Sequence, residues 1–223
     1  MTNHTPRTAS TGVRLREAGQ PRGLAERAGI LLHGRSRTKQ EMLDLATGLE
    51  IGGTRWIAPY ADNGLWYPGR FMEPLASNEP FLTRSVERCH RLVQDASEDG
   101  RLDPSRIFIV GFSQGACLAT EFVARNTARY GGLVAFTGGL IGPPGTRFAY
   151  SGELSGTACF LGAGDRDPHV PWKRVEESAS VLSGLGGVVT LRSYPGLPHT
   201  INEDEIEQAK SILSRLVATG RAV

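Results

Sequence analysis

Short apolar runs alternate along this chain with longer stretches whose apolar residues recur at helical spacing. The runs at residues 29–33, 56–58, 107–110, 133–136, 157–163 and 188–191 are rich in aliphatic and aromatic residues, mostly bounded by Gly or Pro, and predict buried strands. Between them lie helical patterns. Met42, Leu45, Ala46 and Leu49 share one face, as do Leu82, Val86, Cys89, Val93 and Ala96, then Trp172, Val175, Ala179 and Leu182, and finally Ile206, Ala209, Leu213 and Leu216. The stretch behind residue 113 is apolar almost all round (Ala116, Leu118, Ala119, Phe122, Val123), which predicts a central helix. Thr38-x-x-Glu41 and Asn202-x-x-Glu205 read as capping boxes, and Pro80 sits where a first helical turn tolerates a missing N–H. Residues 13–24 predict a short hairpin at a sheet edge, turning at Gly19-Gln20-Pro21.

Strands that alternate with helices imply an α/β fold: a mostly parallel central sheet covered by helices on both faces. In such sheets ligands bind beyond the carboxyl ends of the strands. Two segments escape both periods. Residues 138–156 form a Gly/Pro-rich loop, and residues 60–78 carry Trp66, Tyr67, Phe71 and Met72 among Asn, Gly and Pro. Concentrated aromatics argue against disorder, so these four are candidate substrate-pocket residues, the alternative being a small satellite core under a loop.

The 223 residues suit a single domain over 13–223, preceded by a polar tail over 1–12 that is expected to be disordered and lacks the apolar core of a secretory signal. A net charge of +2 without a dense Lys/Arg block gives no reason to expect nucleic acid or an anionic membrane as partner, and no apolar run reaches spanning length. Arg84, Glu87, Arg88, Arg91 and Glu98 read as a solvated helix face. Cys89, Cys117 and Cys159 each sit in an apolar pattern, without paired spacing, and are expected to be buried free thiols, which suits a cytoplasmic protein. The histidines show no paired ligand spacing and the glycines no dinucleotide or phosphate-loop fingerprint, so neither metal nor cofactor is expected. The oligomeric state is not legible; a homodimer is compatible.

The chemistry concentrates in Gly111-Phe112-Ser113-Gln114-Gly115, which follows an apolar β-branched run and opens a helix. This is the strand–turn–helix setting that a G-x-S-x-G nucleophile elbow requires. A serine hydroxyl needs a base in hydrogen-bond reach, and that base needs a third group to fix its tautomer. Hydrolases of this type supply them in the order serine, acid, histidine. His199, on a strand-to-helix loop near the C-terminus, fills the base position; His33 reads as structural, while His4, His90 and His169 lie in the tail, on a helix and in the acid loop. For the acid, Asp165 and Asp167 compete. The Asp167-Pro168 step favours an extended residue with an inward carboxylate, whereas Asp165 suits an Asx turn. Backbone amides of Gln114 and Arg35 are the candidate oxyanion donors; the Arg35 side chain either meets an acidic substrate group or points into solvent.

Leu32-His33-Gly34-Arg35, the Ser113 pentapeptide, Gly164-Asp165-Arg166-Asp167-Pro168-His169-Val170-Pro171 and His199 before a terminal helix together resemble the phospholipase/carboxylesterase family of α/β-hydrolases, which includes acyl-protein thioesterases. The resemblance runs from about Gly29 to the C-terminal helix. It implies Ser113 as nucleophile, Asp167 as acid, His199 as base, Arg35 and Gln114 as amide donors, and no large cap domain. It implies hydrolysis of small-molecule esters or thioesters through an acyl-enzyme. Two departures touch the substrate: Ser36 and Arg37 follow where the family often has a second glycine, and the loop at 66–71 looks like that of a bacterial subgroup. The alternatives that keep the same residues are lactone or C–C bond cleavage, a non-hydrolytic pathway reaction, and a ligand-binding protein with a vestigial triad.

Overall fold

The computed structural model describes residues 7–8 and 14–219. In chain order the elements are β1 (Arg7–Thr8), β2 (Arg14–Gly19), β3 (Arg27–Leu32), α1 (Lys39–Leu49), β4 (Thr54–Pro59), α2 (Leu75–Asn78), α3 (Phe81–Gly100), β5 (Ile107–Phe112), α4 (Gln114–Arg125), β6 (Gly132–Phe136), β7 (Ala158–Gly164), α5 (Trp172–Gly184), β8 (Val188–Tyr194) and α6 (Glu203–Thr219). They form one sheet in the order β1-β2-β4-β3-β5-β6-β7-β8, parallel from β4 to β8 and antiparallel at the β1–β2–β4 edge.

The apolar runs of β3 to β7 became strands because both faces of the sheet are covered there, whereas β8 at the edge is only partly covered. β3, β4, β5 and β6 are buried at every position. On one face α3, α4 and α5 pack through Leu82, Cys89, Leu92, Phe122 and Val175, while on the other α1 and α6 pack through Met42, Leu49, Ala209 and Leu213. Helix α4 is buried from Gln114 through Ala124, as its all-round apolar pattern requires. Both capping boxes form: Thr38 and Glu41 bond each other's backbone N–H, and so do Asn202 and Glu205. Leu216 lies beyond the described side chains.

Two expectations at the N-terminal edge are corrected. Residues 14–19 are one strand paired to β4, not a hairpin of their own; Gln20 donates to Thr54 O and Leu24 to Pro21 O, so the expected turn region instead carries the chain across to β3. On the far side of β2, Arg7 and Thr8 pair with Leu15 and Arg14, so part of the expected disordered tail is a short strand. An edge strand offers a row of unpaired backbone groups that such a segment satisfies. Residues 1–6 and 9–13 lie outside the described residues.

Glu205 combines two roles. Its Oε2 caps α6 by accepting from Asn202 N, while Oε1 is buried without a partner, close against Gly162. Burial pushes its carboxyl from an ordinary 4.5 up to about 7. Between those values the folded chain holds a proton that the unfolded chain has released, so stability falls as pH rises through the interval. Glu205→Gln keeps an acceptor for Asn202 N and cannot titrate. In urea denaturation, moving from about pH 5 to about pH 8, the stability difference should shift in favour of Glu205→Gln by about 1–3 kcal/mol; a constant difference would contradict the assignment.

Candidate active site

The elbow begins with close packing. A Cβ on Gly115 would stand 2.0 Å from Leu32 O, and one on Gly111 would stand 2.3 Å from Gly115 O, so only glycine lets α4 start this near to β3 and β5. Between them Ser113 adopts φ 55°, ψ −120°, a conformation that L-residues rarely hold. The turn is held by Ser113 N donating to Phe136 O at 3.0 Å and Cys117 N donating to Ser113 O at 2.9 Å. Ser113 thereby stands at the tip of β5, over the positive end of α4.

His199 Nε2 lies 2.8 Å from Ser113 Oγ, and His199 Nδ1 lies 2.6 Å from Asp167 Oδ2. The carboxylate fixes the tautomer: Nδ1 carries the proton and donates to Asp167, leaving Nε2 free to accept from the serine. Asp167 is buried, which by itself would raise its pKa. The hydrogen bond from His199 and those from His169 N (2.7 Å) and Val170 N (2.9 Å) to Oδ1 outweigh burial and hold the carboxyl below its usual range. The imidazole is flanked by Phe112 (centroids 5.3 Å apart) and by His169, edge-on at 4.9 Å.

Asp165, the rival acid, makes no Asx turn on its own loop. It reaches across to the histidine loop, where its Oδ1 accepts from Gly196 N at 2.6 Å, and its own N–H donates to Tyr194 O. The two loops meet because Gly164 has no side chain: a Cβ there would lie 1.9 Å from Leu197 O. Thus one aspartate positions the loop and the other contacts the ring.

The Arg35 side chain, exposed at the cavity wall, is held by the aromatic loop. Its guanidinium donates to Pro68 O at 2.8 Å, to Tyr67 O at 3.3 Å and to Gly69 O. Gln114 grips the same segment: Oε1 accepts from Trp66 N at 3.1 Å and Nε2 donates to Tyr67 O at 2.8 Å. Among the described residues, the backbone amides of Arg35 and Gln114 are committed to no carbonyl of the turns and loops, whereas those of Ser36 and Arg37 donate to Gly64 O and Gly34 O.

A cavity of about 590 Å³ opens in front of Ser113. Tyr67, Phe71 and Met72 of the aromatic loop line it, joined by Phe112, Cys117 and Val170. Trp66 does not. It is buried beneath the loop with Nε1 donating to His33 O at 2.7 Å, so it serves as the loop's anchor in the core, and its assignment to the pocket is corrected. His33 is structural: Nδ1–H donates to Gly34 O and Nε2 accepts from Ala61 N, while burial lowers its pKa. The cysteines are free and buried, and burial pushes each thiol up to about 12, Cys117 at the cavity wall included. A thiol so placed stays protonated and is a poor nucleophile. Among the described residues no group of His, Cys, Asp and Glu gathers as a metal site, and no helix is long and apolar enough to cross a membrane.

Sequence reasoning missed Arg174, buried in the second loop's wall. It donates to Leu140 O, Gly142 O and Pro143 O, with its charge over Phe148, and so orders part of the Gly/Pro-rich segment. Only its place in the first turn of α5 was legible, and a helical pattern does not reveal that an arginine turns inward.

The sheet order, the helices on both faces and a serine at the turn after β5 define the α/β-hydrolase fold, with no large cap evident. A phospholipase/carboxylesterase crystal structure from Dyadobacter fermentans superposes with TM-score 0.86 at 36% identity, covering 96% of this chain and 99% of that one. A carboxylesterase from Mesorhizobium loti, 16% identical, shares the fold with TM-score 0.76 over 96% of this chain and 99% of its own. An acyl-protein thioesterase 1 from Gibberella zeae is 29% identical over 182 residues, 72% of this chain and 76% of the relative. The phospholipase/carboxylesterase family model matches residues 19–217. The chain belongs to that family and is an enzyme of the serine-hydrolase class.

Arg35→Met keeps the amide but releases the loop carbonyls. A shift of about 1 Å in a reacting group costs up to about a hundredfold in rate, so the variant should cleave a short p-nitrophenyl ester roughly tenfold to a hundredfold more slowly. The loss should fall on kcat. An unchanged kcat would show that the clamp does not support the site.

Proposed function

We propose that this enzyme hydrolyses carboxylic esters, thioesters included, through an acyl-enzyme on Ser113. The observation that carries the reading is the continuous relay from Ser113 Oγ through both nitrogens of His199 to Asp167, with contacts of 2.8 and 2.6 Å. His199 Nε2 takes the hydroxyl proton as Ser113 Oγ bonds to the acyl carbon. Asp167 stabilises the imidazolium and stays ionised. The amides of Arg35 and Gln114 receive the oxyanion, each contributing about 3–4 kcal/mol to the transition state. The imidazolium then gives its proton to the leaving alcohol or thiol. Water, activated by the same nitrogen, cleaves the acyl-enzyme and frees the acid.

Tyr67, Phe71 and Met72 form the apolar wall against which the acyl or alcohol part rests. A vestigial triad is disfavoured by contacts this short, since a relay without a task has no reason to retain a rare serine conformation. Three unpaired buried thiols suit a reducing compartment such as the cytoplasm.

Ser113→Ala should fold as the wild type does and lose both p-nitrophenyl ester hydrolysis and covalent capture by a fluorophosphonate probe. Asp167→Asn should lower kcat by roughly a thousand- to ten-thousandfold, because the tautomer presented to Ser113 is no longer enforced. Full activity in either variant would reject the mechanism.

A further inference from the structure

Among the described residues, the cavity in front of Ser113 is lined by three arginines, Arg35, Arg37 and Arg70, and by no aspartate or glutamate. The three are not equivalent. Arg35 is committed to the carbonyls of residues 67–69. Arg37 shares its charge with Glu41 at 3.4 Å, a pair about half exposed on both sides, and lies over the Phe112 ring. Arg70 is different: its guanidinium makes no hydrogen bond, ion pair or ring contact with any described residue. Yet its backbone is firmly mounted. The fully buried Asn78 donates to Arg70 O at 3.0 Å and accepts from Gly69 N at 2.8 Å. The nearby carboxylate of Glu73 packs against Gly69, outside the cavity lining, and forms no ion pair with Arg70.

We propose that the esters taken by this site carry an anionic group, a carboxylate or a phosphate, remote from the scissile carbonyl, and that Arg70, assisted by Arg37, selects them. This rests on the esterase reading above. Next to Ser113 the wall is apolar (Phe71, Met72, Val170), so a charge beside the reacting carbonyl finds no partner there; the free cation stands at the exposed rim. A guanidinium presents a planar fork of donors that matches the paired oxygens of both anions. Acting from the rim, it favours capture of the substrate and leaves the chemical step alone, so its effect falls on KM and fades with salt.

The test compares matched esters in the wild type, Arg70→Gln, Arg70→Lys and Arg37→Gln. p-Nitrophenyl hydrogen adipate against p-nitrophenyl hexanoate places the anion on the acyl side. p-Acetoxybenzoate and p-acetoxyphenyl phosphate, each against methyl p-acetoxybenzoate, place a carboxylate or a phosphate on the alcohol side. For at least one anionic ester the wild-type KM should lie about three- to tenfold below that of its neutral partner, the range of a partly screened ion pair. That ratio should collapse in Arg70→Gln, survive in part in Arg70→Lys, shrink in Arg37→Gln and shrink at high salt. The arm that responds identifies the anion and its side. Equal or higher KM for the anionic ester in every pair, or a ratio untouched in Arg70→Gln, overturns the proposal. Fluorophosphonate capture separates the two readings: a wild type that is captured and cleaves neutral esters without preferring anions overturns only the selection by Arg70, and one that is neither captured nor active overturns both.

Discussion

The site depends on one constraint, the near-contact between the start of α4 and the ends of β3 and β5. Two glycines permit it, and it forces Ser113 into a backbone conformation that costs of order 1–3 kcal/mol. What offsets that cost lies in the surroundings. β5 is buried along its whole length, α4 is buried from Gln114 to Ala124, and the serine's own N–H and C=O are both satisfied. The strain is stored at the turn that presents the Ser113 hydroxyl, and the same turn sets the direction of the Gln114 amide that opens α4.

Around that turn, polar side chains do the joining. Asp165 ties the acid loop to the histidine loop, and Asp167 ties the acid loop to the imidazole. Arg35 and Gln114 hold the backbone of residues 66–69 from two sides. Arg174 does the same for residues 140–143, and Glu121 accepts from Ile141 N and Tyr150 Oη. Irregular backbone carries donors and acceptors that must find partners once buried. Here polar and charged side chains supply them, Gln114, Glu121 and Arg174 from helices and Arg35, Asp165 and Asp167 from the neighbouring loops, so residues 66–69 and 140–143 keep a fixed path outside helix and strand.

What was legible in the sequence was whatever is local or ordered along the chain. Capping boxes span four residues, apolar runs report strands in a two-faced sheet, and the Ser113, Asp167, His199 order follows from a fold in which strand ends share one rim. What was not legible depends on contacts between distant residues. Nothing near Trp66 says that its indole reaches His33 O, and nothing near Arg35 says that its guanidinium turns toward residues 67–69, more than thirty positions away. The buried Asp95 falls on an α3 position that pattern alone assigns no partner, yet Arg22, 73 residues before it, lies 2.7 Å away. At the N-terminal edge the sequence announced a hairpin with a turn at Gly19-Gln20-Pro21, but the strand there pairs with β4 and β1, because pairing is set by register across the sheet, where a local turn signal carries little weight.

The grip on residues 66–69 acts almost wholly on main-chain atoms: a Trp66 amide and the carbonyls of Tyr67, Pro68 and Gly69. Apart from the buried Trp66 anchor and the tightly packed Gly69, the side chains that follow, Arg70 and Met72, carry none of that grip and can change identity while the peptide path beneath them stays put. The result is a replaceable lining on a fixed frame, in which a change of preferred compound need not retune the apparatus that breaks the bond.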